Sequence, residues 1–451
     1  MRGLIHMLAL LALGLVLTTP ARAEPLAATP PMGWNSWDAY GFTIDEAQFR
    51  ANASVLASMH NEGWTYAVID EGWYMANPSG AHLADRQYQL NAYGLLVPST
   101  NRFPTAAQDA GFKALADWLH SQHLKFGLHI VRGIPRDAVA HNLPIEGSAF
   151  HAADAADTSD TCPWDDGNYG VRDDAAGQAY YDSMMRLYAA WGVDFVKVDC
   201  IADHPYKASE IRQIAQAIRN SGRPIVLSLS PGPTQLAHAD EVVAQSQMWR
   251  IADDIWDGWS FPPPWPNGLQ SAFDNLAAWR QYAGPGHWPD ADMLPFGSLR
   301  PHPGWGDARE SGLTHDEQRT EFTLWAMARS PLILGANLTM LDDYTRSLIT
   351  NRDVIAIDQA AWESHPVTDL PSGFGKARVW VAQAGSQQAP TRYVAFFNLD
   401  DQPATLTATW ADLGVSGRHV ARELWSGVRL RRSASVTVNL LAHGSVVYRL
   451  Q

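Results

Sequence analysis

Between residues 29 and 337 short apolar runs alternate with longer segments of helical periodicity, and this alternation limits the fold more than any other feature. The runs fall at 66–70, 126–130, 195–199, 225–229, 248–251 and 332–335. Between them lie amphipathic segments such as 106–122, 177–191 and 209–220. The first carries Phe112, Leu115, Ala116 and Leu119 at the spacing of one helix face. Alternating strand and helix implies parallel strands, and eight such units over about 250 residues make a (β/α)8 barrel. A doubly wound open sheet is the competitor, but no glycine-rich phosphate fingerprint follows the first strand. The expectation is therefore a TIM barrel over 24–360.

The pattern changes near 357–371. Beyond it, alternating runs at 378–382, 393–399, 404–410, 435–440 and 445–450 are separated by turn residues, with no long helical pattern. These predict a small antiparallel β-sandwich domain over 361–451.

Composition narrows the function. The 451 residues include 33 Lys plus Arg and 47 Asp plus Glu, a formal charge of −14. Nucleic acid and anionic membrane surfaces need basic patches, so neither is expected as a partner. Residues 1–23 read as a secretory signal peptide: Arg2, an apolar stretch from Leu4 to Leu17, then an A-x-A site at Ala21-Arg22-Ala23. The expected location is secreted or periplasmic, and the apolar run is too short to span a bilayer. Export permits a disulfide, for which Cys162 and Cys200 are the only candidates. The 19 Trp exceed either Tyr or Phe, at 14 each, which hints at flat ligands such as sugars. Nothing in the sequence fixes an oligomeric state.

Chemistry in a parallel barrel gathers at the C-terminal ends of its strands. Here several ends are acidic: Asp70-Glu71, Asp199, Asp253-Asp254, and Asp290 with Asp292. Lys197 lies two residues before Asp199, hence on the same side of a strand, where an ammonium favours an ionised carboxylate. Asp254 has a like charge beside it in Asp253, which tends to raise a carboxyl pKa. One ionised and one protonated carboxyl are what glycoside hydrolysis requires. Trp34, Trp37 and Trp73 are candidate stacking faces. His129, His287 and His315 lack metal-ligand spacing and read as structural histidines, and no H-x-H or HExxH motif occurs. No metal or cofactor is expected.

Six segments, in order, resemble glycoside hydrolase family 27, the α-galactosidase (melibiase) family. They are 29–37 (TPPMGWNSW), 69–73 (IDEGW), 196–199 (VKVD), 249–257 (WRIADDIWD), 283–294 (AGPGHWPDADML), and 313–318 (LTHDEQ) leading to 330–332 (SPL). The resemblance implies a barrel followed by a β domain and a retaining mechanism. It assigns Asp199 as nucleophile and Asp254, four residues after Arg250, as acid/base. It further implies that Asp70, Lys197, Arg250 and Asp292 bind sugar hydroxyls while Trp37 lines the pocket. The expected activity is release of terminal α-D-galactosyl residues from oligo- or polysaccharides.

Three departures bear on the substrate. The family's Asp-Asp pair after strand two is Asp70-Glu71 here, and the added methylene crowds the sugar's C6 hydroxymethyl. A β-L-arabinopyranoside, a galactoside without C6, is therefore the alternative substrate. After strand three comes LHIVRGIPR, where Arg132 and Arg136 are candidates to bind an extended leaving group. After strand five comes SLSPGP, whose Ser230 leaves room near the sugar 2-position. The resemblance also implies a Cys162–Cys200 disulfide, although Cys200 stands one residue nearer the nucleophile than the family spacing. A sugar-binding protein without catalysis is the alternative from a different class.

Overall fold

The computed structural model describes residues 24–78, 85–108, 110–299 and 307–451. The expected signal peptide, 1–23, lies outside them. Eight short strands pair in parallel: β1 (Met32–Asn35), β2 (Tyr66–Ile69), β3 (Lys125–Val131), β4 (Phe195–Asp199), β5 (Val226–Leu229), β6 (Met248–Arg250), β7 (Trp288–Asp290) and β8 (Leu332–Leu334). Their order is β7-β6-β5-β4-β3-β2-β1-β8. The ring closes where Leu294, just past β7, bridges in parallel to Leu334 of β8. This is the (β/α)8 barrel the alternation predicts.

Six of the eight strands are buried at every residue. That explains why they read as apolar runs rather than as alternating patterns. Two strands escape that reading. Strand β1 is MGWN and β7 is WPD, so glycine, asparagine and proline mask them. Gly33 is needed for packing, because a Cβ there would lie 2.4 Å from the Tyr66 carbonyl oxygen on β2.

The outer helices start and stop on local signals. Helix α1 (Glu46–Ser58) opens with a capping box between Asp45 and Gln48. Helix α2 (Lys113–Ser121) is shorter than the expected 106–122, because Gly111 takes a left-handed φ of 55° and interrupts the chain. Helix α3 (Ala175–Trp191) is capped by Asp174 and ends at left-handed Gly192. Helix α4 (Ala208–Ser221) follows β4, and α5 (Ala239–Gln245) follows β5. Helices α6 (Leu269–Trp279) and α7 (His315–Ala328) follow β6 and β7.

The antiparallel part begins at β9 (Ala361–Pro366), directly after α8 (Arg352–Ala360). Strands β10 (Arg378–Ala384), β11 (Thr391–Phe397), β13 (Ala421–Glu423) and β15 (Ser445–Leu450) join it in the order β9-β10-β11-β15-β13. Strands β12 (Ala404–Thr409) and β14 (Ser435–Leu440) form a second, two-stranded sheet. Period-two alternation divides β11 cleanly. Val394 and Phe396 face the two-stranded sheet, whereas Tyr393, Ala395 and Phe397 join the barrel's core. Helix α7 fits between the two, buried at nearly every residue from Glu317 to Ala328. No described helix is long and apolar enough to cross a membrane.

Candidate active site

At the C-terminal ends of the barrel strands lies a cleft of about 940 Å³. Trp37, Asp38, Asp70, Glu71, Lys197, Asp199, Asp254 and Asp292 line its wall together with several loop residues. These residues come from the ends of five different strands, so only the closed ring brings them together.

The floor centres on Asp70, which is nearly fully buried. Its Oδ2 accepts from Asn35 Nδ2 at 2.6 Å and pairs with Lys197 Nζ at 3.0 Å. Its main-chain N–H donates to Ser36 Oγ. Burial raises the Asp70 pKa, but His129, Lys197, the Glu71 N–H and Asn35 together hold it well below the usual carboxylate range. Asp199 behaves alike. Burial opposes its ionisation, yet a hydrogen bond with His129 Nε2 at 3.1 Å, the charge of Lys197 and the Cys200 N–H keep its pKa low. A carboxylate held ionised at the end of β4 has the charge state that nucleophilic attack requires.

Glu71 is the opposite case. Burial first, then Asp165, Asp199 and Asp70, push its carboxyl well above the ordinary value. Its Oε1 is buried and accepts no hydrogen bond from any described residue. Asp38, also buried, is pushed up by burial and by Asp292, Asp254 and Asp70. Gly335 makes room for it, since a Cβ there would meet Asp38 Oδ2 at 1.8 Å.

On the other wall Arg250 pairs with Asp292 at 2.7 Å and with Asp254 at 3.2 Å. Asp292 also accepts main-chain N–H bonds from Ile255 and Met293, each at 2.7 Å. Its φ of 94° is costly for a residue with a side chain. Burial raises the Asp292 pKa, Arg250 opposes, and Asp254 and Asp290 add to the rise. The side chain of Asp254 is 42% exposed, so this carboxyl stands at the mouth of the cleft, open to water.

The disulfide joins Cys162 to Cys200, with Cα atoms 6.0 Å apart, and so ties the loop after β3 to the residue following Asp199. Cys200 itself takes a left-handed φ of 61°. Among the described residues no group of three or more His, Cys, Asp or Glu is placed to hold a metal ion.

The expected site residues do not all reach the cleft wall. Trp37, Asp70, Glu71, Lys197, Asp199, Asp254 and Asp292 do, and Arg250 lies behind them as a charge partner. Ser230 does not. It is buried at the end of β5 with its main chain tied to Val198 and Ile201, and Pro231 takes the wall position. Trp34 and Trp73 are fully buried core residues rather than stacking faces. His129 is not simply structural, because it stands 3.1 Å from Asp199 and 3.9 Å from Asp70. Neither arginine after β3 lines the cleft. Arg132 is buried between Asp160 and Glu210, and Arg136 pairs with Asp166.

Sequence reasoning passed over Asp38, Asp165, Arg86, Trp164 and His204, all of which line the cleft, as does Trp265 of the Trp/Pro-rich loop at 256–266. Asp38 directly follows the Trp37 motif, and Asp165 lies three residues after Cys162, so proximity to known motifs was the available signal.

Residues 165–360 match the family model for alpha galactosidase A, and 374–450 match that for the alpha galactosidase C-terminal beta sandwich domain. Alpha-galactosidase A of Cellvibrio japonicus is 30% identical, over 95% of this chain and 93% of its own. The chain belongs to glycoside hydrolase family 27. Among solved family 27 structures, a β-L-arabinopyranosidase from Geobacillus stearothermophilus is 41% identical, with a TM-score of 0.88 over 94% of this chain and 97% of its own. A variant of that enzyme has been solved in complex with arabinose. The α-galactosidase I of Mortierella vinacea is 25% identical, with a TM-score of 0.70 over 95% of this chain and 98% of its own.

Proposed function

We propose that this glycosidase is a retaining exo-enzyme that releases terminal β-L-arabinopyranosyl residues, with terminal α-D-galactosyl residues as the second substrate. Asp199 attacks the anomeric carbon while Asp254 passes its proton to the leaving oxygen as that bond breaks. Asp254 then takes a proton from the water that releases the sugar from Asp199. Lys197 and His129 serve this sequence by keeping Asp199 ionised before attack. Asp70, Lys197, Arg250 and Asp292 serve as anchors and supports for sugar hydroxyls.

Glu71 carries the choice of sugar. Its longer side chain lines the cleft wall, with Asp165, which pairs with Arg86 at 3.9 Å, beside it as a hydrogen-bond partner. A galactosyl C6 hydroxymethyl needs the space that the extra methylene takes, whereas an arabinopyranosyl ring has nothing there. The 41% identity to an enzyme named for β-L-arabinopyranosides favours the same order. The motifs alone put the galactoside first, and this reading reverses that ranking. The signal at 1–23 and the disulfide favour action in the periplasm or outside the cell.

Parallel kcat/KM measurements on 4-nitrophenyl β-L-arabinopyranoside and α-D-galactopyranoside test the reading. The expected preference for the arabinoside is about tenfold or more, the usual range for one misplaced methylene. Glu71→Asp is expected to narrow that preference. A wild-type preference for galactoside reverses the order, and turnover of neither overturns both.

A further inference from the structure

Trp265 of the loop at 256–266 (WDGWSFPPPWP) and Trp164 of the run at 162–166 (CPWDD) have no part in the chemistry above, yet each places an indole at the cleft mouth. Trp164 and Trp265 both line the cleft that holds Asp199 and Asp254. They are 42% and 51% exposed, while eight other tryptophans rank among the most deeply buried large side chains of the described residues, Trp249 and Trp288 included. Large aromatic surface left in water at the entrance of a catalytic cleft has a desolvation gain in reserve for a ligand.

Both indoles are held in place. Trp164 follows Cys162, which the disulfide fixes beside Asp199, and its ring meets His204 edge-on at 5.9 Å. His204 is in turn 3.1 Å from Asp253. Trp265 meets Trp256 edge-on at 6.2 Å, and its Nε1–H points to Asp254 Oδ2 at 3.3 Å. One indole therefore touches the carboxyl that delivers a proton to the leaving oxygen, so it stands on the leaving-group side. The two loops follow β3 and β6, strands separated by β4 and β5 around the ring. Aromatic faces with acidic and imidazole groups at their edges match a pyranose, which presents apolar C–H faces and an equatorial rim of hydroxyls.

We propose that Trp164 and Trp265 are the residues that hold the leaving sugar, by stacking on its ring at the cleft mouth. The proposal rests on the glycosidase reading above and assigns these two indoles as the platform on its leaving-group side. Asp253 and His204 are the polar groups placed to meet hydroxyls of that second ring.

The test compares two substrates with the same glycone: a glycosyl fluoride, which has no leaving sugar, and a disaccharide. Whichever of the arabinopyranosyl and galactosyl series the wild type turns over is used. Trp164→Ala touches neither carboxyl, and the ratio of kcat/KM on disaccharide to that on fluoride is expected to fall about tenfold. Trp265→Ala should lower the same ratio, and Trp265→Phe, which keeps a ring but loses the N–H, should restore most of it. An unchanged ratio in Trp164→Ala overturns the platform. A Trp265→Phe variant as poor as Trp265→Ala assigns Trp265 to holding Asp254 and overturns it too. If wild type hydrolyses neither fluoride, it is the glycosidase reading that fails.

Discussion

His129 shows how much a single buried side chain can decide. Its Nε2 lies 3.1 Å from Asp199, and this contact heads the influences that lower the Asp199 pKa against burial. In the proposed mechanism Asp199 attacks only when ionised, so activity is expected to fall as pH drops through its pKa. Removing the imidazole in His129→Phe takes away a stabiliser of the charged form, and the Asp199 pKa must rise. The acid limb of the kcat/KM profile should therefore move to higher pH, while Lys197 and the Cys200 N–H limit the shift. An acid limb that stays in place would remove His129 from this role. The same reasoning explains the contrast between neighbours Asp70 and Glu71. One is surrounded by donors and cations and stays charged; the other faces carboxylates and is pushed toward its protonated form.

At the scale of elements, the segment between β3 and α3 behaves as a reinforced rim. Arg132 donates to the Cys200 carbonyl and pairs with both Asp160 and Glu210, while Lys207 reaches Asp160 at 2.8 Å. The disulfide lies beside this buried charge cluster and closes a separation of 38 residues. Cross-linking a loop of that length stabilises by about 3–4 kcal/mol. The double variant Cys162→Ser/Cys200→Ser should lose about that much in denaturant unfolding, and it should lose activity as well, because the cross-link anchors residue 200, whose main-chain N–H donates to Asp199. A stability change below about 1 kcal/mol would show that the ion-pair cluster holds the rim without the cross-link.

In the whole molecule, the antiparallel sheets complete the barrel's core and steady one of its loops. Trp259 of the proline-rich loop stacks on His443 with ring centres 3.9 Å apart, and His443 bonds to Glu317 and Asp401. Trp425 donates to Thr323 of helix α7. Within that helix Glu321 is wholly buried, and neither of its oxygens has a hydrogen-bond partner among the described residues. Burial, reinforced by Asp292, Asp257, Asp38 and Glu317, pushes its pKa well above the ordinary value. The folded chain thus keeps a proton that the unfolded chain releases above about pH 4.3. Linkage makes stability fall as pH rises from there toward the folded pKa. Glu321→Gln removes this penalty, so the Tm of the variant minus that of wild type should widen between pH 4.5 and 7. A difference that does not widen would mean Glu321 is ionised in the folded protein.

The barrel was legible in the sequence because strands buried on both faces must be apolar runs, and helices lying on them must repeat with helical period. The β-sandwich was legible for a parallel reason, since β12 and β14 bury every second residue. Motif order also brought out Asp199, Asp254, Asp70 and Lys197, each tied to a strand end by local chain geometry. Only the closed ring could show that His129 meets Asp199, that Arg132 is spent on a buried ion pair, and that Pro231 rather than Ser230 lines the cleft. Each of those facts depends on which strands become neighbours and on how far a side chain can reach. Tryptophan makes the same point. Its abundance was plain in the sequence, but the division between core indoles such as Trp34 and exposed ones such as Trp164 and Trp265 came from tertiary packing. An indole is favourable in either place, and the surrounding volume alone decides which it fills.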